Sequence, residues 1–412
     1  MFPTALLTAF LLLAVSVAAN PIVVRKPSVS LSFARHLNIT GSRDLVAKDQ
    51  ARAKNLVAIG KAKQSGILSR AGVVSVGVTN VGVSYHATVG VGSPPTNYNL
   101  LIDTGSSNTW VGAGKTYVRT NTSIQTHNNM SVTYDHKSFS CTEFTDTVTI
   151  GPGLVIPGQS IGVASNFTGF SGLDGVLGIG PTDLTVGTLS PDTGSSVPTV
   201  TDNLFSSGTI PSNLVSVSFE PTTTESEVNG ELTFGGTDSE KYTGAITFIP
   251  ITSASPASHY WGIDESIWYG ASTSILSTTA GIVDTGTTFI LIATDAFDRY
   301  TSATGAVLDA TTGLLTITPA QFANLQSLFF TTGGTTFELT ANAQIWPRAL
   351  NTLIGGTSGK IYLIVNDIRT STGQGLDFIN GYTFLERFYS VYDTENHRVG
   401  LATTPFTTAT TN

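Results

Sequence analysis

Two short segments of this chain carry the residues best placed for chemistry. Leu100-Leu101-Ile102-Asp103-Thr104-Gly105-Ser106-Ser107 and Gly281-Ile282-Val283-Asp284-Thr285-Gly286-Thr287-Thr288 each set Asp-Thr-Gly behind a short apolar run. The run predicts a buried strand, and the glycine lets the backbone turn tightly and pass close to a neighbour. Two such turns brought face to face would oppose two carboxyl groups. At hydrogen-bonding distance both cannot ionise freely, so they share a proton and titrate apart, which supplies an acid and a base in one site.

The three letters alone are a weak signal, because Asp192-Thr193-Gly194-Ser195-Ser196 repeats them. That copy follows Thr188-Leu189-Ser190-Pro191, and proline there predicts a surface loop. The other two sit in apolar frames, with Trp110-Val111 after Asp103 and Phe289-Ile290-Leu291-Ile292 after Asp284. Other chemistries lack residues. His36, His86, His127, His136, His259 and His397 form no pair at metal-ligand spacing, and Cys141 is the single cysteine. We therefore expect no metal, no cofactor and no disulfide, with Cys141 a small buried residue. No Gly-x-Ser-x-Gly elbow or phosphate-cradling glycine motif is present.

The elements that must hold these turns are mostly strands. Only 12% of the 412 residues are charged, about half the ~25% usual in soluble domains, and 42 are glycine. Short β-branched runs between turn residues predict an all-β chain. Short helices are expected at Thr294–Tyr300 and Pro319–Leu328. Each Asp turn is followed by an apolar-apolar-Gly element, Val176-Leu177-Gly178 and Phe378-Ile379-Asn380-Gly381, the second departing by placing Asn380 before the glycine. This predicts two related lobes with a cleft between them.

Charge divides the chain sharply. Residues 20–71 hold ten cations (Arg25, Lys26, Arg35, Arg43, Lys48, Arg52, Lys54, Lys61, Lys63, Arg70) against Asp44 and Asp49, a net of +8. Of the whole chain's 20 basic and 28 acidic residues, 10 and 26 are left for residues 72–412, a net of −16. A basic leader on an acidic body predicts an electrostatically held prosegment, with Lys61 or Lys63 nearest the paired carboxyls. A nucleic-acid arm is disfavoured, since phosphate would be repelled by the body. Residues 1–19 read as a signal peptide ending in Val17-Ala18-Ala19. No other run is long enough to span a bilayer, and the tail Ala402–Asn412 has no lipid-anchor signal. Secretion is expected, with a vacuolar location the lesser alternative. Sequons for N-linked sugar begin at Asn38, Asn121, Asn129 and Asn166.

The motifs together resemble those of the pepsin-like aspartic endopeptidases, from about Tyr85 to Leu401. Besides the Asp turns they include Trp110, Val132-Thr133-Tyr134, Asp174-Gly175-Val176-Leu177-Gly178-Ile179-Gly180, Phe234-Gly235-Gly236-Thr237-Asp238 and Phe378 to Leu385. The likeness narrows to secreted basidiomycete proteases of the polyporopepsin type. It implies a bilobal pepsin-like fold of two β-barrel-like lobes, residues 72–250 carrying Asp103 and a flap and residues 251–412 carrying Asp284. It also implies a catalytic dyad of Asp103 and Asp284, with Thr104, Gly105, Ser106, Thr285, Gly286 and Thr287 in support. Tyr134, Asp135, His136, Trp110 and Thr288 would form flap and substrate contacts. Where the family carries Tyr-Gly-Ser/Thr-Gly at the flap tip, this chain has Tyr134-Asp135-His136-Lys137. The implied product is a monomeric acid endopeptidase made as a zymogen, acting on proteins or peptides and inhibited by pepstatin-like compounds. The alternative is a non-catalytic pepsin-fold binding protein, and a secreted carbohydrate-binding β-protein would leave the paired turns unexplained.

Overall fold

The computed structural model describes residues 28–38, 43–64, 82–134, 137–164 and 172–412. The expected signal segment, Asp135, His136 and Asn166 lie outside the described residues, as do the side chains of Asn38, Tyr134 and Lys137.

The N-terminal half builds β1 (Val29–Asn38), β2 (Gly82–Val91), β3 (Thr96–Asp103), β4 (Trp110–Val111), β5 (Ile124–Tyr134), β6 (Lys137–Gly151), β7 (Leu154–Ala164), β8 (Gly175–Gly178), β9 (Leu189–Ser190), β10 (Leu214–Phe219), β11 (Ser226–Phe234) and β12 (Thr243–Pro250). With β23 (Phe388–Asp393) and β24 (Arg398–Thr403) they form one 14-stranded sheet, β12-β24-β23-β10-β11-β1-β2-β3-β8-β4-β7-β6-β5-β9, curled on itself by a β2–β6 pairing. A 7-stranded sheet runs β19-β18-β13-β14-β22-β15-β21. Its strands are β13 (Gly262–Tyr269), β14 (Thr273–Val283), β15 (Ile290–Ile292), β18 (Leu328–Thr332), β19 (Thr335–Leu339), β21 (Val365–Asp367) and β22 (Phe378–Asn380). A small sheet joins β16 (Val307–Leu308), β17 (Leu315–Ile317) and β20 (Ile361–Tyr362).

The two lobes repeat one arrangement. β3 runs parallel to β8, β8 antiparallel to β4, and β4 parallel to β7. In the other lobe β14 is parallel to β22, β22 antiparallel to β15, and β15 parallel to β21. The runs ahead of the two Asp residues are buried on both faces, which is why they read as near-continuous apolar sequence. The expected helix at Thr294 extends to Thr304, where Gly305 closes it at φ 65°. The one at Pro319 stops at Phe322, because Leu328 already belongs to β18.

Sequence periodicity does not reveal the longest helix among the described residues, Arg43–Gln64, in the leader. Its buried face is Leu45, Val46, Asp49, Arg52, Ala53, Leu56 and Gly60, a helical spacing whose apolar pattern is broken by two charged residues. The leader's other element, β1, lies inside the large sheet between β11 and β2. Phe33 is buried edge-on against Tyr85 and Phe219, with ring centroids 5.6 and 5.4 Å apart. The leader is therefore held by sheet pairing and core packing as well as by charge.

Candidate active site

β3 and β14 end at the same place in the molecule, and their turns interlock. The Thr104 N–H donates to Thr285 Oγ1 at 3.0 Å and the Thr285 N–H donates to Thr104 Oγ1 at 2.9 Å. Each hydroxyl also donates back across the interface, Thr285 to the Ile102 carbonyl at 3.0 Å and Thr104 to that of Val283 at 3.4 Å. This near-symmetric grip brings the wholly buried Asp103 and Asp284 together. Gly105 and Gly286 permit the approach. A Cβ on Gly105 would lie 2.7 Å from Asp284 Oδ1, and one on Gly286 would lie 2.6 Å from Asp103 Oδ1.

Each carboxylate is held from its own turn. Asp103 Oδ1 accepts the Gly105 N–H at 2.9 Å and Oδ2 accepts the Ser106 hydroxyl at 2.5 Å. Asp284 Oδ1 accepts the Gly286 N–H at 3.1 Å and Oδ2 accepts the Thr287 hydroxyl at 2.5 Å. The loop copy at Asp192 differs: half-exposed, it meets His127 and Asn128 at the surface.

A third charged group sits between the two carboxyls. Arg52 of the leader helix donates through Nε to Asp284 Oδ2 at 2.7 Å, and through Nη2 to Asp103 Oδ1 at 2.5 Å and Asp284 Oδ1 at 2.9 Å. Burial alone would raise the Asp284 carboxyl. The Arg52 charge and the hydrogen bonds from Arg52, Thr287 and Gly286 more than offset that and hold it below its ordinary range. The expectation of Lys61 or Lys63 at this place is corrected. Lys63 Nζ instead meets the carbonyls of Asp183 and Val186 at 2.5 and 2.6 Å, three helical turns beyond Arg52.

The same helix covers the floor around the pair. Asp49, wholly buried, accepts the N–H groups of Thr288 and Phe289 on Oδ2 at 2.9 and 2.8 Å. Gln50 donates to the Asp367 carbonyl at 2.9 Å, and Tyr260 donates to the Leu56 carbonyl at 2.8 Å. Burial pushes the Asp49 carboxyl up to about 7, against the lowering by those two amides. Asp49 and Arg52 were legible only as charges of the basic leader.

Other candidates fall further out. Trp110 packs in a buried cluster with Leu101, Met130, Cys141 and Val176. Cys141 is buried as expected, and burial pushes its thiol up to about 12. The backbones of Tyr134 and Lys137 close the β5–β6 hairpin, while its tip lies outside the described residues. Asn121 and Asn129 are exposed. Among the described residues no helix is long and apolar enough to cross a membrane.

Paired Asp-Thr-Gly turns clasped between two related β lobes define a class, and comparison with known proteins agrees. Residues 84–404 match the family described as eukaryotic aspartyl protease, and the chain belongs to it. It is an aspartic endopeptidase of the pepsin-like kind. It is 70% identical to polyporopepsin of Irpex lacteus over 338 residues, covering 82% of this chain and 99% of that protein. Human gastricsin is 30% identical over 339 residues, 78% of this chain and 81% of its own length. The crystal structure of the aspartic proteinase from Irpex lacteus superposes with a TM-score of 0.80 at 61% identity, covering 94% of this chain and all of that one.

Proposed function

We propose that Asp103 and Asp284 are the catalytic dyad of a secreted acid endopeptidase made as a zymogen, and that Arg52 is the residue that blocks it. The observation that carries this reading is the pair of buried carboxyls held by matching turns, with the leader's guanidinium across both. With the helix displaced, a water between the carboxyls loses a proton to the ionised one and attacks the scissile carbonyl carbon. The protonated partner donates to the carbonyl oxygen, giving a tetrahedral diol. Proton return to the amide nitrogen then breaks the C–N bond, and no acyl-enzyme forms. Shared-proton carboxyl pairs of this kind include pepsin's, a standard example of divided carboxyl titration.

The acid requirement follows from charge linkage. Asp284 is depressed while Arg52 is docked, so its contribution to docking is present above the undocked carboxyl range and lost as pH falls through the docked value. The apolar first segment and the basic leader support secretion in this inactive form. The test is digestion of a denatured protein by the acid-treated chain, with and without pepstatin. Asp103→Asn and Asp284→Asn should each lower turnover by about 10⁴-fold or more, since the pair acts as a unit. Near-normal hydrolysis by either folded variant would refute the assignment.

A further inference from the structure

Beneath Asp284 the C-terminal lobe places polar groups where its sister lobe is apolar. Glu265 lies opposite Thr279 on β14, and Val89 lies opposite Tyr98 on β3. Thr279 and Tyr98 stand equally far ahead of Asp284 and Asp103, so Glu265 takes the place of Val89. By the same correspondence Asn380, before Gly381, takes the place of Leu177, before Gly178. All four side chains are wholly buried, at 0% exposure. The Asn380 amide donates to Glu265 Oε1 at 3.1 Å and Oε2 at 3.2 Å.

A carboxyl and an amide in such a core are unfavourable unless paired, and an ionised carboxyl far more so. Burial pushes Glu265 up to about 8, against the single lowering influence of the Asn380 bond. Among the described residues no charged neighbour offsets this. β14, β18 and β22 carry no ionisable side chain within their ranges. At their margins are Asp284, Asp377, Tyr382 and, before β13, His259, while Asp264 on β13 itself is exposed. On the helix packed against β14, Asp295 and Arg299 pair with each other at the surface. The pair also touches the dyad's backbone. The Asn380 carbonyl accepts the Asp284 N–H at 3.1 Å, and β22 is clamped between β14 and β15.

We infer that protonated Glu265 and Asn380 are positioning residues: as a neutral pair they seat β22 and thereby Asp284, and loss of the Glu265 proton loosens that seat. This rests on the dyad assignment proposed above. The sign follows from linkage. A carboxyl raised in the folded state stabilises it fully below the unfolded carboxyl range, and that contribution is lost as pH rises through about 8.

The test compares the full-length chain with Glu265→Gln, Asn380→Leu and the double variant Glu265→Val/Asn380→Leu, which copies the other lobe. Each is held between pH 5 and 9, its thermal midpoint read by circular dichroism, then returned to acid and assayed. Glu265→Gln keeps a neutral partner for Asn380 and cannot ionise. Its midpoint should gain on wild type as pH rises, by roughly several degrees by pH 9. Asn380→Leu strands the Glu265 carboxyl and should lower kcat about tenfold with KM within about twofold. The double variant should recover kcat and lose the pH dependence. Parallel midpoint curves for wild type and Glu265→Gln, or an unchanged kcat in Asn380→Leu, would overturn the proposal. A hydrolysing Asp284→Asn variant would instead overturn the dyad assignment, leaving the midpoint comparison intact.

Discussion

Thr104 and Thr285 direct their hydroxyls to each other's backbone, so the grip between lobes is made of buried hydrogen bonds with almost no water access. Valine at Thr104 preserves shape but leaves the Thr285 N–H buried without its acceptor. The expected loss is about 1–3 kcal/mol, read as a lower thermal midpoint. Thr287 acts on titration instead. Its bond to Asp284 Oδ2 is one of the influences that offset burial and lower that carboxyl, and unlike Arg52 it would stay on the proposed departure of the leader. Thr287→Val should therefore move the acid limb of kcat/KM upward, with activity retained above it. An unmoved limb would show that the hydroxyl is only a turn-former.

At the scale of elements, the leader helix is two opposed pH devices on one face. Arg52 joins Asp103 and Asp284, and in the proposed activation the depressed Asp284 carboxyl favours docking at neutral pH and release in acid. Asp49, raised to about 7, works the other way. Its contribution to docking is present below the ordinary carboxyl range and is lost as pH rises through about 7. Arg52→Met leaves the carboxyls buried without their cation, at a cost of about 3–5 kcal/mol to the docked state, so the uncut chain should hydrolyse peptides near neutral pH. Lys63→Met, a half-buried side chain in the helix's last turn, should change the block by about 1 kcal/mol or less. Asp49→Asn cannot ionise, and its leader should dissociate less readily than wild type above pH 7, measured by inhibitor-probe access. If access rises equally in both, Asp49 does not tune the block.

Across the whole molecule, the leader is a structural member as well as the block proposed above. β1 pairs on both edges, so its loss would leave β11 and β2 with unpaired backbone. Phe33→Ala should destabilise the full chain by about 3–5 kcal/mol, as for other large-to-small core changes. The same substitution should leave no trace in the thermal midpoint of the processed enzyme if β1 departs on activation. β23 and β24 cross from the C-terminal end to pair with β10 and β12, which ties the first and last described strands into one sheet.

Much of this was determined by the sequence itself. Two Asp-Thr-Gly turns in apolar frames, the order of the motifs behind them and the sign of the leader's charge are local properties, set by strand burial, glycine's freedom and composition. The loop copy at Asp192 could be set aside on its proline and the apolar frames of the other two, and Asn380 could be seen as a departure. Only the tertiary structure decided which of the leader's ten cations reaches the carboxyls. The answer depends on the rotational phase of a helix and on where it crosses the cleft, and a charge buried on the helix's inner face breaks the very periodicity that would have revealed it. The partner of Asn380 was hidden for a related reason. Glu265 lies 115 residues away in sequence and ordinarily reads as a solvated charge, and only the register of β13 on β14 carries it into the core beneath Asp284.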